Sequence, residues 1–247
     1  MIINSISLIN YRNHKKLNLE FADKINLIIG PNGAGKTNVL EAINILSTSK
    51  SFKARYDRDL INYEESFTRI TVNIKGDDED IVMELTISRS EGDDNRSIKK
   101  LKINNVAKAL YLTGQEFNTV LFSPEDIDFV TGTPSLRRKY INLTLWQIDN
   151  KYKKCLLLYN KSLKQRNKLL ANINEYNTGG DQLPFWNGKL LEYGEYIQQK
   201  REEYITFTNN FLENIYNDHI FTPSKIFIEY NANSINTDRL FSYKDKE

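Results

Sequence analysis

The sequence predicts an α/β fold: a mixed sheet containing an antiparallel meander, with an antiparallel helical arm attached to it. Three observations predict it. Apolar residues alternate with polar ones through most of the first 110 residues, which is the period of half-buried strands. One run, "INLIIG" at 25–30, is instead almost continuously apolar, as in a strand covered on both faces, and it leads through a glycine-rich loop into a helical pattern. From Lys151 to about Tyr216 the apolar period becomes three to four.

In chain order, Ile6 and Leu8 alternate with serines, and Leu17, Leu19 and Phe21 alternate with Lys16, Asn18 and Glu20, giving two strands. After the apolar run and its loop, Val39, Leu40, Ile43, Leu46 and Ser47 recur at helical spacing. Further strands are expected over Ile70–Ile74, Ile81–Ile87 and about Ile98–Ile103, with "KGDDED" and "SEGDDN" as polar turns between them. Thr133 can cap a helix and Pro134 suits its first position, so "SLRRKYINLTLW" continues as a helix. The arm shows one stripe through Tyr152, Cys155, Tyr159, Leu163, Arg166, Leu170 and Ile173. A second runs through Trp186, Leu190, Tyr193, Ile197, Arg201, Tyr204, Phe211 and Ile215. "NEYNTGGDQLP" between the stripes supplies a reversal. The expected division is a head lobe with the glycine-rich loop over 1–130, a helical arm over 131–222 and the start of a return to the head over 223–247.

Composition sets limits on function. With 34 basic and 32 acidic residues the net charge is only +2, so bulk electrostatics selects no polyanionic partner and any such argument rests on local clusters. The single cysteine, Cys155, lies among apolar residues and cannot form an internal disulfide, which fits core packing in a reducing compartment. "MIINSISLIN" lacks the charged start and apolar core of a signal peptide, and no run is long enough for a membrane span. The cytoplasm is the expected location.

"GPNGAGKT" satisfies the G-x-x-x-x-G-K-[ST] spacing through Gly30, Gly35, Lys36 and Thr37. Its cradle comprises Gly30, Pro31, Asn32, Gly33, Ala34, Gly35, Lys36 and Thr37. Backbone N–H groups turn inward around phosphates and the following helix adds the positive end of its dipole. Lys36 is expected to reach the β- and γ-phosphates of ATP, and the Thr37 hydroxyl to sit on Mg²⁺. The glycine spacing differs from the G-x-G-x-x-G of dinucleotide folds, which disfavours NAD.

Several stretches resemble the RecF family of DNA replication and repair proteins, whose head is an ABC/SMC-like ATPase. "ISLINYRNHKKLNLEF" is similar to the family's first hairpin, and "GPNGAGKTNVLEAINILSTSKSF" to its phosphate loop and first helix. "FSPEDIDFVTGTPSLRRKYIN", "YNKSLKQRNKLLA" and "FWNGKLLEYGEYIQQKR" continue the likeness to about residue 230. Asn142 stands where the family commonly has Asp, and no glutamine occupies the place near Val120 where a typical ABC Q-loop would put one. The resemblance implies ATP-dependent homodimerisation and binding to single-stranded or junction DNA. It also implies partnership with RecR, with RecO in the same pathway, in loading recombinase at gaps and in the SOS response.

Two basic clusters bear on partners. Arg137, Arg138 and Lys139 lie in the first turns of a helix, where cations oppose its dipole, so either Glu125, Asp126 and Asp128 compensate them or an external phosphate or carboxylate does. Seven cations from Lys151 to Lys168, among them Lys161 and Lys164, run without an intervening acid, which suits either a solvated face or contacts to a nucleic-acid backbone. A transporter ATPase subunit is the alternative to a DNA-repair ATPase; a small-molecule kinase and a pure binding module are further rivals. Hydrolysis needs an acidic residue at the end of an apolar strand. "KIFIEY" and "VLFSPED" do not resemble the family's strand ending in paired aspartates, and the glycine-containing signature is also absent. The chain thus resembles the first two-thirds of a family member, expected to bind nucleotide without effective turnover and to carry an incomplete sheet with an exposed edge.

Overall fold

A computed structural model describes residues 2–76, 79–90, 93–110, 113–114, 116–219 and 227–231; the side chains of 93–96, Glu125 and 214–219 lie outside the description. The expected return at 223–247 therefore falls outside it except for 227–231, as do Ile215 of the second stripe and the Glu125 carboxylate. The chain divides into two compact units, Met1–Asn150 and Lys151–Glu247.

The first unit contains strands β1 (Ile2–Tyr11), β2 (His14–Glu20), β3 (Phe67–Lys75), β4 (Ile81–Ser90), β5 (Asp93–Ile103) and β6 (Val106–Lys108). They form one sheet in the order β2-β1-β3-β4-β5-β6, every pair antiparallel. The alternation sets the register: Leu8 lies opposite Ile70, Ile70 opposite Leu85 and Leu85 opposite Leu101, so the apolar half of each strand reaches the same face. Helix α1 (Lys36–Thr48) supplies Val39, Ala42, Ile45 and Leu46 to the same core. Since β1 pairs with both β2 and β3, residues 21–66 form an excursion whose two ends are anchored on a single strand. Two short helices follow, α2 (Asp128–Thr131) and α3 (Pro134–Ile148). Although the arm was expected from 131, α3 lies in the first unit, burying Ile141, Leu145 and Trp146.

The apolar run at 25–30 departs from expectation. It forms no strand, and Ile25, Leu27 and Ile29 are 90%, 81% and 81% exposed, while Ile28 packs against the core. An apolar run records a need for cover on both faces, but a strand exists only where neighbours accept its hydrogen bonds. Among the described residues none pairs with it, so the described sheet is wholly antiparallel rather than mixed.

The second unit is the helical arm, α4 (Asn150–Tyr176) and α5 (Leu183–His219). Arg166 Nε donates to Asn187 Oδ1 at 2.6 Å, and Arg201 Nε donates to the Tyr152 hydroxyl at 3.2 Å. Contacts from the end of one helix to the start of the other make the pair antiparallel. The reversal uses Asn177 and Gly179, both left-handed at φ 49° and 88°. The buried face of α4 is centred on Tyr152, Leu156, Ser162 and Leu169, so it is rotated from the expected stripe, whose other members flank it half-buried. Phe211, expected in the second stripe, is 56% exposed.

Candidate nucleotide-binding site

The loop from Gly30 to Gly35 closes on itself before α1 begins at Lys36. Gly33 and Gly35 adopt φ of 82° and 90°, a left-handed backbone that side-chain-bearing residues rarely enter. Gly35 is further constrained from outside, because a Cβ there would come within 2.7 Å of Asn13 Oδ1 and closer still to the His14 ring. Lys36 Nζ donates to the carbonyls of Gly30 at 2.7 Å and Pro31 at 2.8 Å, which keeps the ammonium at the loop. No side chain caps the N-terminus of α1 and no acid lies in its first turn. The positive dipole end of the helix thus stands uncompensated beside a cation, with exposed Thr37 in its first turn. This donor set fits a polyphosphate. Among the described residues no group of three or more His, Cys, Asp or Glu could hold a metal, so a magnesium ion would depend on Thr37 together with phosphate and water oxygens.

Sequence reasoning missed the structure that holds the loop in place. The tip between β1 and β2 reaches over it: Asn13 Nδ2 donates to Gly33 O at 3.1 Å, His14 Nε2 lies 3.2 Å from Gly35 O, and Asn38 Nδ2 donates to Asn13 Oδ1 at 2.8 Å. The tip is in turn pinned to α1. Arg12 Nε and Nη2 donate to the two Glu41 carboxylate oxygens at 2.5 and 2.7 Å, and the Tyr11 hydroxyl donates to Glu41 at 3.1 Å. The Ser51 hydroxyl supplies another bond to Glu41, whose side chain is fully buried. Burial alone would raise the Glu41 carboxyl, but Arg12, Ser51 and Tyr11 outweigh it and hold it below the usual carboxylate range. Tyr11 moves the opposite way, raised by its burial and by the negative charge it faces. The only sequence signal for this clasp was the polar turn "YRNH", which names no partner.

The other anticipated residues lie elsewhere. Arg137 Nη1 donates to Gly132 O at 3.1 Å, closing the end of α2. Among the described side chains Asp126 and Asp128 make no ion pair with Arg137, Arg138 or Lys139; Asp126 instead accepts from the Ser123 amide at 2.5 Å. Arg138 and Lys139 are exposed. In the arm, Lys161 and Lys164 are exposed on α4, whereas Lys153 is wholly buried and its ammonium is pushed down to about 8 by desolvation. The seven cations therefore do not form one solvated face.

Comparison with known proteins places this geometry. Residues 2–145 match the RecF/RecN/SMC N-terminal domain family. The DNA replication and repair protein RecF of Agathobacter rectalis is 34% identical over 230 residues, covering 93% of this chain and 62% of that protein. RecF of Bacillus cytotoxicus is 39% identical over 207 residues, 83% of this chain and 53% of that protein. The chain thus spans little more than half the length of these relatives. A solved structure of the recombination mediator protein RecF-ATP in the RecFOR pathway superposes with a TM-score of 0.81 at 32% identity, over 97% of this chain and 65% of that one.

Proposed function

The chain belongs to the RecF/RecN/SMC N-terminal domain family, and from that premise we propose that it is the nucleotide-holding part of a RecF-like DNA replication and repair ATPase. One observation carries the reading: an uncapped helix start, two left-handed glycines and the Lys36 ammonium converge on one loop, and the hairpin tip fixes that loop from outside. In this reading Gly30, Pro31, Asn32, Gly33, Ala34 and Gly35 wrap the phosphates of ATP, Lys36 neutralises the terminal ones, and Thr37 gives its hydroxyl to Mg²⁺. These residues account for holding and orienting the triphosphate, and no hydrolytic step is assigned to them.

The partners in this reading are DNA, a second copy joined through ATP, and RecR, with RecO in the same pathway, in the cytoplasm and in the response to DNA damage. Relatives named for DNA replication and repair, and a neighbour named for the RecFOR pathway, support it. No described helix is long and apolar enough to cross a membrane. The test is Lys36→Ala in a calorimetric titration with ATP and Mg²⁺. Losing a charge-assisted phosphate contact is worth about 1.5–3 kcal/mol, roughly a ten- to hundredfold weaker Kd. Equal affinities for the two proteins refute the assignment.

A further inference from the structure

The sequence contains two Asn–Gly pairs, and the structure gives them opposite surroundings. Asn187–Gly188 lies inside α5, where Asn187 is 3% exposed and its Oδ1 accepts from Arg166 Nε at 2.6 Å. Asn32–Gly33 lies in the phosphate loop. Both of its residues are exposed, and the Asn32 side chain makes no hydrogen bond among the described residues. A Cβ at Gly33 would meet nothing within 4 Å, so open space lies beside the pair. The Ala34 amide reaches Pro31 O at 3.3 Å, closing a turn around Asn32 and Gly33, while the Gly33 amide donates to no described acceptor.

An asparagine followed by glycine is chemically labile, because glycine lacks the side chain that shields and stiffens its own amide. The glycine nitrogen attacks the asparagine Cγ. A C–N bond forms, the side-chain nitrogen leaves as ammonia together with the displaced amide proton, and a cyclic imide remains. Water then opens the imide at one of its two carbonyls. One opening restores the main chain with an aspartate, and the other routes it through Cβ and Cγ as isoaspartate. Nothing is oxidised or reduced, and either product replaces a neutral carboxamide by a carboxylate. Inside α5 the helical ladder and the bond from Arg166 hold Asn187 away from this geometry.

Closure at Asn32 requires the peptide that joins it to Gly33 to rotate, and two restraints oppose that. Asn13 Nδ2 holds Gly33 O at 3.1 Å, and a triphosphate wrapped by the loop holds its amides. We infer that Asn32 is a self-modification site: in the nucleotide-free chain it deamidates through the imide, the resulting carboxylate opposes the triphosphate, and bound nucleotide suppresses the reaction. The new charge falls in the same short loop as Lys36, whose ammonium already lies against the Gly30 and Pro31 carbonyls, so it competes with phosphate for that cation. Isoaspartate also lengthens the main chain of the cradle by one carbon. The suppression and the lost affinity rest on the nucleotide-holding reading above, whereas the lability of Asn32 rests on its own surroundings.

The experiment ages the full chain at mildly alkaline pH with and without ATP and Mg²⁺. Mass spectrometry of its peptides, with an isoaspartyl methylation assay, reads conversion at each asparagine. Asn32 should convert while Asn187 does not, and ATP at a hundred times its Kd should slow conversion by up to about a hundredfold, as the free fraction of the loop falls. The number of ATP sites counted by calorimetry should fall in step with conversion, and the converted loop should bind ATP at least about tenfold more weakly. Asn32→Ser, whatever its starting affinity, should lose no sites with age. Asn13→Ala frees the Gly33 carbonyl and should speed conversion by about two- to tenfold, the weight of one hydrogen bond. Conversion at Asn32 no faster than at Asn187, an unaltered rate in Asn13→Ala, or an equal loss of sites in Asn32→Ser overturns the inference. A fresh chain that binds ATP yet converts at the same rate with it overturns this inference alone. A fresh chain that binds no ATP overturns the nucleotide-holding reading as well.

Discussion

Arg12→Ala tests whether the clasp over the phosphate loop is held by charge. The substitution removes both donors of the fork, at 2.5 and 2.7 Å, from a carboxylate that is fully buried, while the Arg12 side chain itself is 23% exposed. Removing one partner of a buried pair typically costs about 3–5 kcal/mol. Here the Tyr11 and Ser51 hydroxyls still bond Glu41 and solvent reaches Arg12, so about 2–3 kcal/mol is expected. The sign with pH follows from the Glu41 carboxyl, which is held below its usual range in the intact protein. Its stabilisation is present above the unfolded value, about 4.3, and disappears as pH falls through the folded one. Without Arg12, burial is opposed more weakly and the carboxyl rises, so the variant gains relative stability on acidification. The gap is therefore largest near neutrality and narrows below about pH 4. Urea unfolding followed by Trp146 fluorescence, in a Trp186→Phe background, reads the first unit alone, since these are the two tryptophans of the chain. A gap below about 0.5 kcal/mol at neutrality, or one that does not change with acidification, refutes the account.

Gly35→Ala should weaken ATP binding far more than Gly30→Ala. The first forces a side chain into a φ of 90° and against Asn13 and His14, for about 1–2 kcal/mol of backbone strain plus the overlap, whereas a Cβ at Gly30 meets Ala34 at an ordinary 3.7 Å. Equal losses by calorimetry would show that loop shape is not what matters. Reversing charge at exposed Lys161 and Lys164 should shallow the salt dependence of DNA binding by about 0.7–0.9 per lost contact; an unaltered slope assigns this part of α4 to solvent or to a protein partner. Leu27→Glu, at a site 81% exposed, should lower self-association in light scattering, because an apolar run that no described strand pairs presents both backbone and side chains to another chain. An unchanged mass distribution would clear that run of the role.

The strands were legible because their alternation is local: Ile6 and Leu8, Ile70 and Val72, and Met83 and Leu85 reach one face whatever the partner strand. The shape of the glycine-rich loop was legible for a related reason, as Gly33, Gly35 and Lys36 lie within one stretch of eight residues. What remained hidden depends on partners distant in sequence. Glu41 on a helix reads as a solvated acid until Tyr11, Arg12 and Ser51 meet it, and Asn13 and His14 read as any polar turn. Lys153 illustrates the converse, a lysine buried within a run that reads as a charged face. Periodicity also blurred along α4, where the small, buried Ser162 belongs to the packed face but carries no apolar signal.

The excursion between β2 and β3 has a kinetic consequence. Pairs such as Ile74 with Ile81 join neighbours in sequence, and β3 to β6 can zip as successive hairpins. The partnership of Ile6 with Val72 must instead enclose the whole segment that carries the phosphate loop, α1 and the chain between α1 and β3. Closing so long a loop is slow as well as entropically unfavourable, so β1 joins a sheet whose other half is already formed. The loop is fixed under the hairpin tip once α1 packs on the core that this sheet completes, which makes nucleotide binding a late event in refolding. A fluorescent nucleotide added during refolding should therefore respond after the far-ultraviolet signal of the sheet has largely recovered.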